Sequence, residues 1–229
     1  MDSPKYNRTF HFPWSPGGTS DDKIISPHAL GSVSRDPIVI TEKMDGSNTS
    51  LEKDGCFART HSGPPSHPSF DGLKALHAQV RYKIPEGIQL FGEWLYAKHS
   101  IEYSELPHHF MLFNVRVFDG IKSNGVLVSH WASWEEVEMW ALEIGVPTVP
   151  VLYKGTAGSD KQLKDLIQSL MIQPSACGGI REGVVARVQS EFEDEHFDVC
   201  VLKCVRKDHV NTSTHWLHQE IVKNKLKLE

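Results

Sequence analysis

Along the chain the spacing of apolar and polar positions changes several times, and each change marks an element. Ile38-Val39-Ile40-Thr41 is a β-branched run that predicts a strand over 37–42. A second strand is expected at 48–53, with Asp54-Gly55 as the hairpin turn into a third at 56–60. His61 to Ser69 reads as a proline-rich loop. Asp71 is expected to cap a helix at 72–82, in which Leu73, Leu76 and Val80 share a face. Apolar runs predict strands at 88–94 and 110–118. Ser133 and Glu136 form a capping box ahead of Val137, Trp140, Ala141 and Ile144, and Gly145 closes that helix. Ser159 and Gln162 repeat the device before Leu163, Leu166, Ile167 and Leu170. Strands return at 183–189 and 197–205, and residues 213–227, with Trp216, Ile221 and several lysines, predict a last amphipathic helix. Residues 1–24 are turn-rich and loop-like.

Strands of antiparallel character interrupted by helices give an α+β pattern. No repeat, low-complexity segment or linker divides the chain, so one domain is expected over 1–229, with a short N-terminal extension (1–24) and a helical tail (213–229). The stripe of Trp140, Leu163, Leu166 and Leu170 reads as core.

Composition narrows the function classes. A formal net charge of −5 argues against a general nucleic-acid coat, so any such contact must be a local patch. No apolar stretch reaches the length of a membrane span, and the polar start lacks a signal-peptide core. Cys56, Cys177, Cys200 and Cys204 show no C-x-x-C spacing, which speaks against zinc and for reduced thiols in a cytoplasmic, reducing compartment. The thirteen histidines are scattered, with no H-E-x-x-H.

The chemistry concentrates in short segments at strand ends. Glu42-Lys43-Met44-Asp45-Gly46 holds a lysine on a tight turn. Such a lysine is either a surface residue entering an Asp-Gly turn or a nucleophile whose pKa its surroundings lower. Arg59-Thr60 closes the following hairpin. Phe91-Gly92-Glu93-Trp94 ends an apolar strand with a carboxylate. Val115-Arg116-Val117-Phe118-Asp119-Gly120 ends another with an aromatic and an acid. Arg181-Glu182-Gly183-Val184-Val185-Ala186 places a carboxylate before a strand, and Val201-Leu202-Lys203-Cys204-Val205-Arg206 buries a lysine in an apolar run. Alone, Lys203 also reads as an edge-strand gatekeeper, Glu93 and Glu182 as surface acids, and Phe118 as core.

The ordered series K-x-D-G, F-G-E, F-D-G, E-G-V-V and L-K resembles the nucleotidyltransferase motifs of the polynucleotide ligase and mRNA-capping superfamily, over residues 42–206. It is most similar to ATP-dependent RNA ligases of the nick-sealing kind. Tyr6-Asn7-Arg8-Thr9-Phe10-His11, Val205-Arg206-Lys207-Asp208-His209-Val210 and His215-Trp216 resemble flanking sequences of RNA ligases.

The resemblance implies an α+β nucleotidyltransferase (ATP-grasp-like) adenylation domain, antiparallel sheets flanked by helices, without an OB-fold domain. It implies ATP with Mg²⁺ or Mn²⁺, and RNA carrying 5′-phosphate and 3′-hydroxyl ends, such as a nicked duplex. By position, Lys43 would form the lysyl-adenylate and Asp45 would touch the ribose or order the lysine's turn. Glu42 would read adenine through its backbone, Arg59 would lie over sugar and phosphates, Glu93 would bond a ribose hydroxyl and Phe118 would stack on the base. Glu182 would hold the metal and Lys203 the α-phosphate. Metal and neighbouring cations are expected to depress the pKa of Lys43. Val205 stands where the family has a second basic residue. Arg206, Lys207, Lys223 and Lys225 are the remaining candidates for nucleic-acid contact, and an accessory protein is the expected source of a substrate clamp. A DNA ligase, a capping enzyme or a non-catalytic binding module are the alternative readings.

Overall fold

The computed structural model describes residues 4–19, 21–59, 63–121, 127–207 and 221–227. In chain order its elements are β1 (Phe10–His11), α1 (Gly31–Arg35), β2 (Pro37–Lys43), β3 (Ser47–Leu51), β4 (Cys56–Ala58), α2 (Asp71–Val80), β5 (Ile88–Trp94), β6 (Phe110–Ile121), β7 (Leu127–Trp131), α3 (Trp134–Ile144), β8 (Val151–Thr156), α4 (Asp160–Met171), β9 (Gly183–Val188), β10 (Phe192–Glu193), α5 (Phe197–Cys200) and β11 (Val201–Val205). They build two sheets, β1-β11-β9-β2-β8 and β10-β7-β6-β5-β3-β4. Every pairing is antiparallel except that of β1 with β11.

Alternation along β2 sets the layers. Ile38 and Ile40 face outward and pack with Leu163, Ile167 and Leu170 of α4 and Leu202 and Cys204 of β11. Val39 faces the other way, into the core of the second sheet, where Leu73 of α2 and Trp134, Val137 and Ala141 of α3 are buried. Between the sheets, Phe91, Trp131, Phe197 and Val201 pack with the ring of Tyr6. Arg187 of β9 crosses this layer, donating to Asn114 Oδ1 (2.6 Å) and to the carbonyl of Ala132. The strand-to-strand ladder thus carries β2, β9 and β11 side by side, and their ends open on the same edge.

Several expectations are corrected. Asp71 is the first residue of α2, not its cap; it pairs with Lys74 (2.6 Å) one turn on, where an acid favours the helix dipole. The strand expected at 197–205 is split, because Phe197 and Cys200 are both buried at helical spacing and form α5 before β11 begins. The capping box of α3 is complete, and Gly145 takes the left-handed conformation (φ 73°). In α4, Ser159 accepts from Gln162 N, but the glutamine side chain meets the serine hydroxyl instead of its backbone.

The helix expected over 213–227 is absent at 221–227, which instead forms bridges to Ala97 and Leu106. The N–H groups of Asn224, Lys225 and Lys227 donate to Tyr96, Tyr103 and Leu106, so they cannot close helical turns. Thr60 and residues 208–220, including Asp208, His209, Val210, His215 and Trp216, lie outside the described residues.

The glycine of F-G-E has a packing cause. A Cβ on Gly92 would lie 2.3 Å from Phe110 Cζ, and Phe110 is wholly buried against it. Gly92→Ala is expected to destabilise the protein by about 1–3 kcal/mol through overpacking. Chemical denaturation should show it, and a midpoint equal to wild type would mean that Phe110 is free to move.

Candidate active site

The register of β2 against β9 creates the site. Lys43, the last residue of β2, lies opposite Gly183, the first of β9, so Glu182 arrives beside the lysine. Lys43 Nζ stands 2.7 Å and 2.8 Å from the two Glu182 carboxylate oxygens. Gly183 lets β11 lie close on the other side: a Cβ there would meet the carbonyl of Cys204 at 2.3 Å. On the next strand Lys203 is opposite Val185 and reaches toward Asp22 (3.8 Å), while its side chain stays largely covered.

The turn after Lys43 is tied on both sides. Gly46 N donates to Glu93 Oε1 (3.1 Å), and a Cβ on Gly46 would strike the Trp94 carbonyl at 2.6 Å. Asp45 N donates to Tyr103 Oη (2.9 Å), and Asp45 Oδ2 accepts from Ser100 N (2.7 Å) and Ile101 N (2.9 Å). The Asp45 carboxylate therefore ties the turn to the backbone of residues 100 and 101. Glu42 is buried on the opposite side, accepting from Ala176 N (2.9 Å) with Arg181 Nε at 3.5 Å. Its own N–H is already engaged with the Pro150 carbonyl (2.8 Å).

Three carboxylates around one ammonium set the charge state. Burial pulls the Lys43 pKa down, but Glu182, Glu93 and Asp45 override it, and the lysine stands above its usual value. In the ligand-free protein this is the reverse of the depression expected from a metal and neighbouring cations. Burial also raises Glu93, to about 8; Lys43 opposes that shift, and the charges of Glu182 and Asp45 reinforce it. Lys203 is lowered by burial and by the charges of Lys43 and Arg59, with Asp22 and Glu182 opposing. Asp22 is held at about 2 against its burial, by hydrogen bonds from Thr19 and the charges of His11 and Lys203.

Lys43, Asp45, Glu93, Glu182 and Lys203 thus come together, with Arg59 exposed nearby and felt electrostatically. Arg206 adjoins them, its N–H donating to the Glu182 carbonyl (3.0 Å), and Lys207 follows it, exposed. Lys223 and Lys225 are exposed beside the loop that holds Asp45; Lys223 Nζ lies 5.1 Å from the Tyr96 ring centre.

Phe118 does not join the site. Met111 is the β6 residue opposite Glu93, and Phe118 follows seven positions later, roughly 20 Å along the strand. There Phe118 N donates to the Gly87 carbonyl and the residue pairs with Ser129. Stacking of Phe118 on a base held at Lys43 is excluded by that distance. Tyr103, Asn224 and Asp22, which touch the site or its loop, carried no motif signal.

A sequence model of the family described as RNA ligase matches residues 36–205. No curated protein matches the chain. Among solved structures, an archaeal ATP-dependent RNA ligase in its form 2 is 18% identical over 86% of this chain and 48% of its own, with a TM-score of 0.49. An apo variant of the Naegleria gruberi RNA ligase is 16% identical over 92% of this chain and 63% of its own, at 0.50. A protein assigned as an ATP-dependent DNA ligase from Aquifex aeolicus is 18% identical over 90% and 50%, at 0.51. The chain spans between about half and just under two thirds of the length of these structures, and the likeness to the two at 0.50 and 0.51 bears on the fold. With a nucleotidyltransferase fold of two antiparallel-rich sheets, and a family match that runs from β2 through β11, the chain belongs to the RNA ligase family.

Proposed function

We propose that this chain performs the nucleotide-transfer chemistry of an ATP-dependent RNA ligase, joining 3′-hydroxyl and 5′-phosphate ends. The observation that carries the reading is the Lys43–Glu182 pair, with Lys203 two strands over on the same sheet edge. In the first step the neutral Lys43 amine forms a bond to the α-phosphorus of ATP and the bond to pyrophosphate breaks. The adenylyl group then passes from Lys43 to a 5′-phosphate, and a 3′-hydroxyl displaces AMP as the phosphodiester forms. Each displacement builds charge on phosphate oxygens, which fixed cations stabilise. Lys203 and Arg59 supply such cations. Glu93, protonated at neutral pH in the ligand-free protein, can share a proton with a ribose hydroxyl.

The donor set fits a divalent metal of the hard type. No group of three or more His, Cys, Asp or Glu able to hold a metal lies among the described residues. Glu182 offers one carboxylate, already the partner of a cation, which suits Mg²⁺ or Mn²⁺ keeping waters and phosphate oxygens as its other ligands. When bound, such an ion would neutralise phosphate charge and take the place of the Lys43 ammonium as the counter-charge to Glu182. The RNA backbone is a fitting partner for Arg206, Lys207, Lys223 and Lys225, and any clamp beyond this chain would come from a further domain or an accessory protein. Among the described residues no helix is long and apolar enough to cross a membrane.

Incubation with Mg²⁺ and α-labelled ATP or GTP, followed by a denaturing gel, tests the reading. Label from ATP is expected on wild type and absent from Lys43→Ala. Label from GTP alone would move the assignment to capping chemistry, and label from neither, on folded protein, would leave a binding module.

The charge state of Lys43 can be read without turnover. Because Glu182 raises the lysine, Glu182→Gln is expected to lower its pKa. Lys43 should then become about tenfold more reactive toward an amine-directed ester at pH 8, since the neutral fraction grows tenfold for each pH unit by which the pKa falls. Unchanged reactivity, measured by mass spectrometry, would remove Glu182 as the controlling charge.

Glu93 gives a stability signature. Its folded pKa, about 8, exceeds the unfolded value near 4.5, so between those pH values the native state binds the extra proton. Stability from this group is present below about pH 4.5 and is lost as pH rises toward 8. Glu93→Gln should therefore gain melting temperature over wild type progressively from pH 5 to pH 8. A constant gap across that range would contradict the assignment.

A further inference from the structure

Asp45 is ordered by a loop, and the loop is ordered by a segment far away in sequence. Residues 95–106 supply three hydrogen-bond partners of Asp45: Tyr103 Oη accepts from its N–H, and Ser100 N and Ile101 N donate to its carboxylate. That loop is not part of a sheet. Its backbone groups are satisfied by residues 221–227, through Lys98 N to Val222 O, Asn224 N to Tyr96 O, Lys225 N to Tyr103 O and Leu106 N to Lys225 O, all between 2.8 and 3.0 Å.

Asn224 is the one buried residue of this segment and uses both ends of its amide. Its Oδ1 accepts from Tyr103 N (2.9 Å), while its Nδ2 donates to the carbonyls of Leu95 (2.9 Å) and Ala97 (3.4 Å). A side chain here must present one acceptor and two donors within the reach of a single CH₂ stem, and asparagine alone does so. Aspartate would match the size but set a carboxylate oxygen against two carbonyls.

We infer that Asn224 and Tyr103 are positioning residues for nucleotide transfer: the 221–227 segment is a strap that holds the Asp45 turn, and through it the approach of Lys43 to the α-phosphate. The inference rests on the nucleotidyltransferase reading above. Neither residue is among the proposed nucleotide contacts, which are Lys203, Arg59 and Glu93. Loosening the strap should lower the fraction of lysine in line for attack while leaving nucleotide affinity alone.

The test compares wild type, Asn224→Asp, Tyr103→Phe, the double variant and Val222→Ala, an exposed residue of the same segment. The rate of covalent labelling by ATP is measured against ATP concentration, with amide hydrogen exchange on the ligand-free proteins. Asn224→Asp and Tyr103→Phe are each expected to reduce the maximal labelling rate about tenfold with KM for ATP within about twofold. The double variant should be no slower than the slower single one, because both act through one connection. Val222→Ala should match wild type. In Asn224→Asp the amides of Ser100, Ile101 and Asp45 should exchange about tenfold faster.

An unchanged labelling rate in Tyr103→Phe, or a KM that rises while the maximal rate holds, overturns the inference. So does unchanged exchange at those amides in Asn224→Asp. If wild type takes no label at all, the proposed function falls, and the exchange measurement alone then decides whether the strap orders the turn.

Discussion

The register of β2 against β9 is the constraint on which the site depends. It ends both strands at one edge, so that a lysine and a glutamate distant in sequence face each other as a bidentate pair. A slip of one residue would send Lys43 to the opposite face of the sheet and exchange the buried faces of Ile38, Val39 and Ile40. The outer packing on α4 and the inner packing on the second sheet therefore both enforce the same register. The placement of Lys43 beside Glu182 is a by-product of two hydrophobic layers that tolerate only one alignment.

The ligand-free site is electrostatically unfinished. One ammonium is surrounded by Glu182, Glu93 and Asp45, and one of those acids is driven to hold a proton near neutrality. An excess of carboxylates is costly in a covered site, and it turns the pocket into a receptor for added positive charge. The same excess holds the pKa of Lys43 above its usual value.

Much of this could be read from the chain. The K-x-D-G, F-G-E and E-G-V-V segments lie at or near strand ends and L-K lies mid-strand in β11, and the pairing of neighbouring strands brings them together. Gly92 and Gly183 belong to those motifs for steric reasons that only neighbouring strands reveal. The F-D-G segment misled: Phe118 has the expected composition, but it lies at the far end of a strand of twelve residues, and strand length is not visible in a motif. β8 escaped notice because it is an edge strand with half-exposed side chains and weak alternation. The lysine-rich segment near 225 looked helical because solvent-facing residues of a bridging strand and of a helix are equally polar. Asn224 was invisible for the same reason, since its significance lies wholly in partners more than a hundred positions earlier.

That separation has a consequence for the order of events in the cell. Asn224 follows Tyr103 by 121 positions. At roughly 5–20 residues per second, a ribosome needs on the order of ten seconds to reach it after the loop has emerged. Throughout that interval the loop lacks the backbone partners that complete it, whatever β2, β3 and β5 have already assembled. Lys43 is thus presented by a nascent chain long before the segment that holds its turn exists. Truncated translation products share this incompleteness and leave the loop around Asp45 without its final brace.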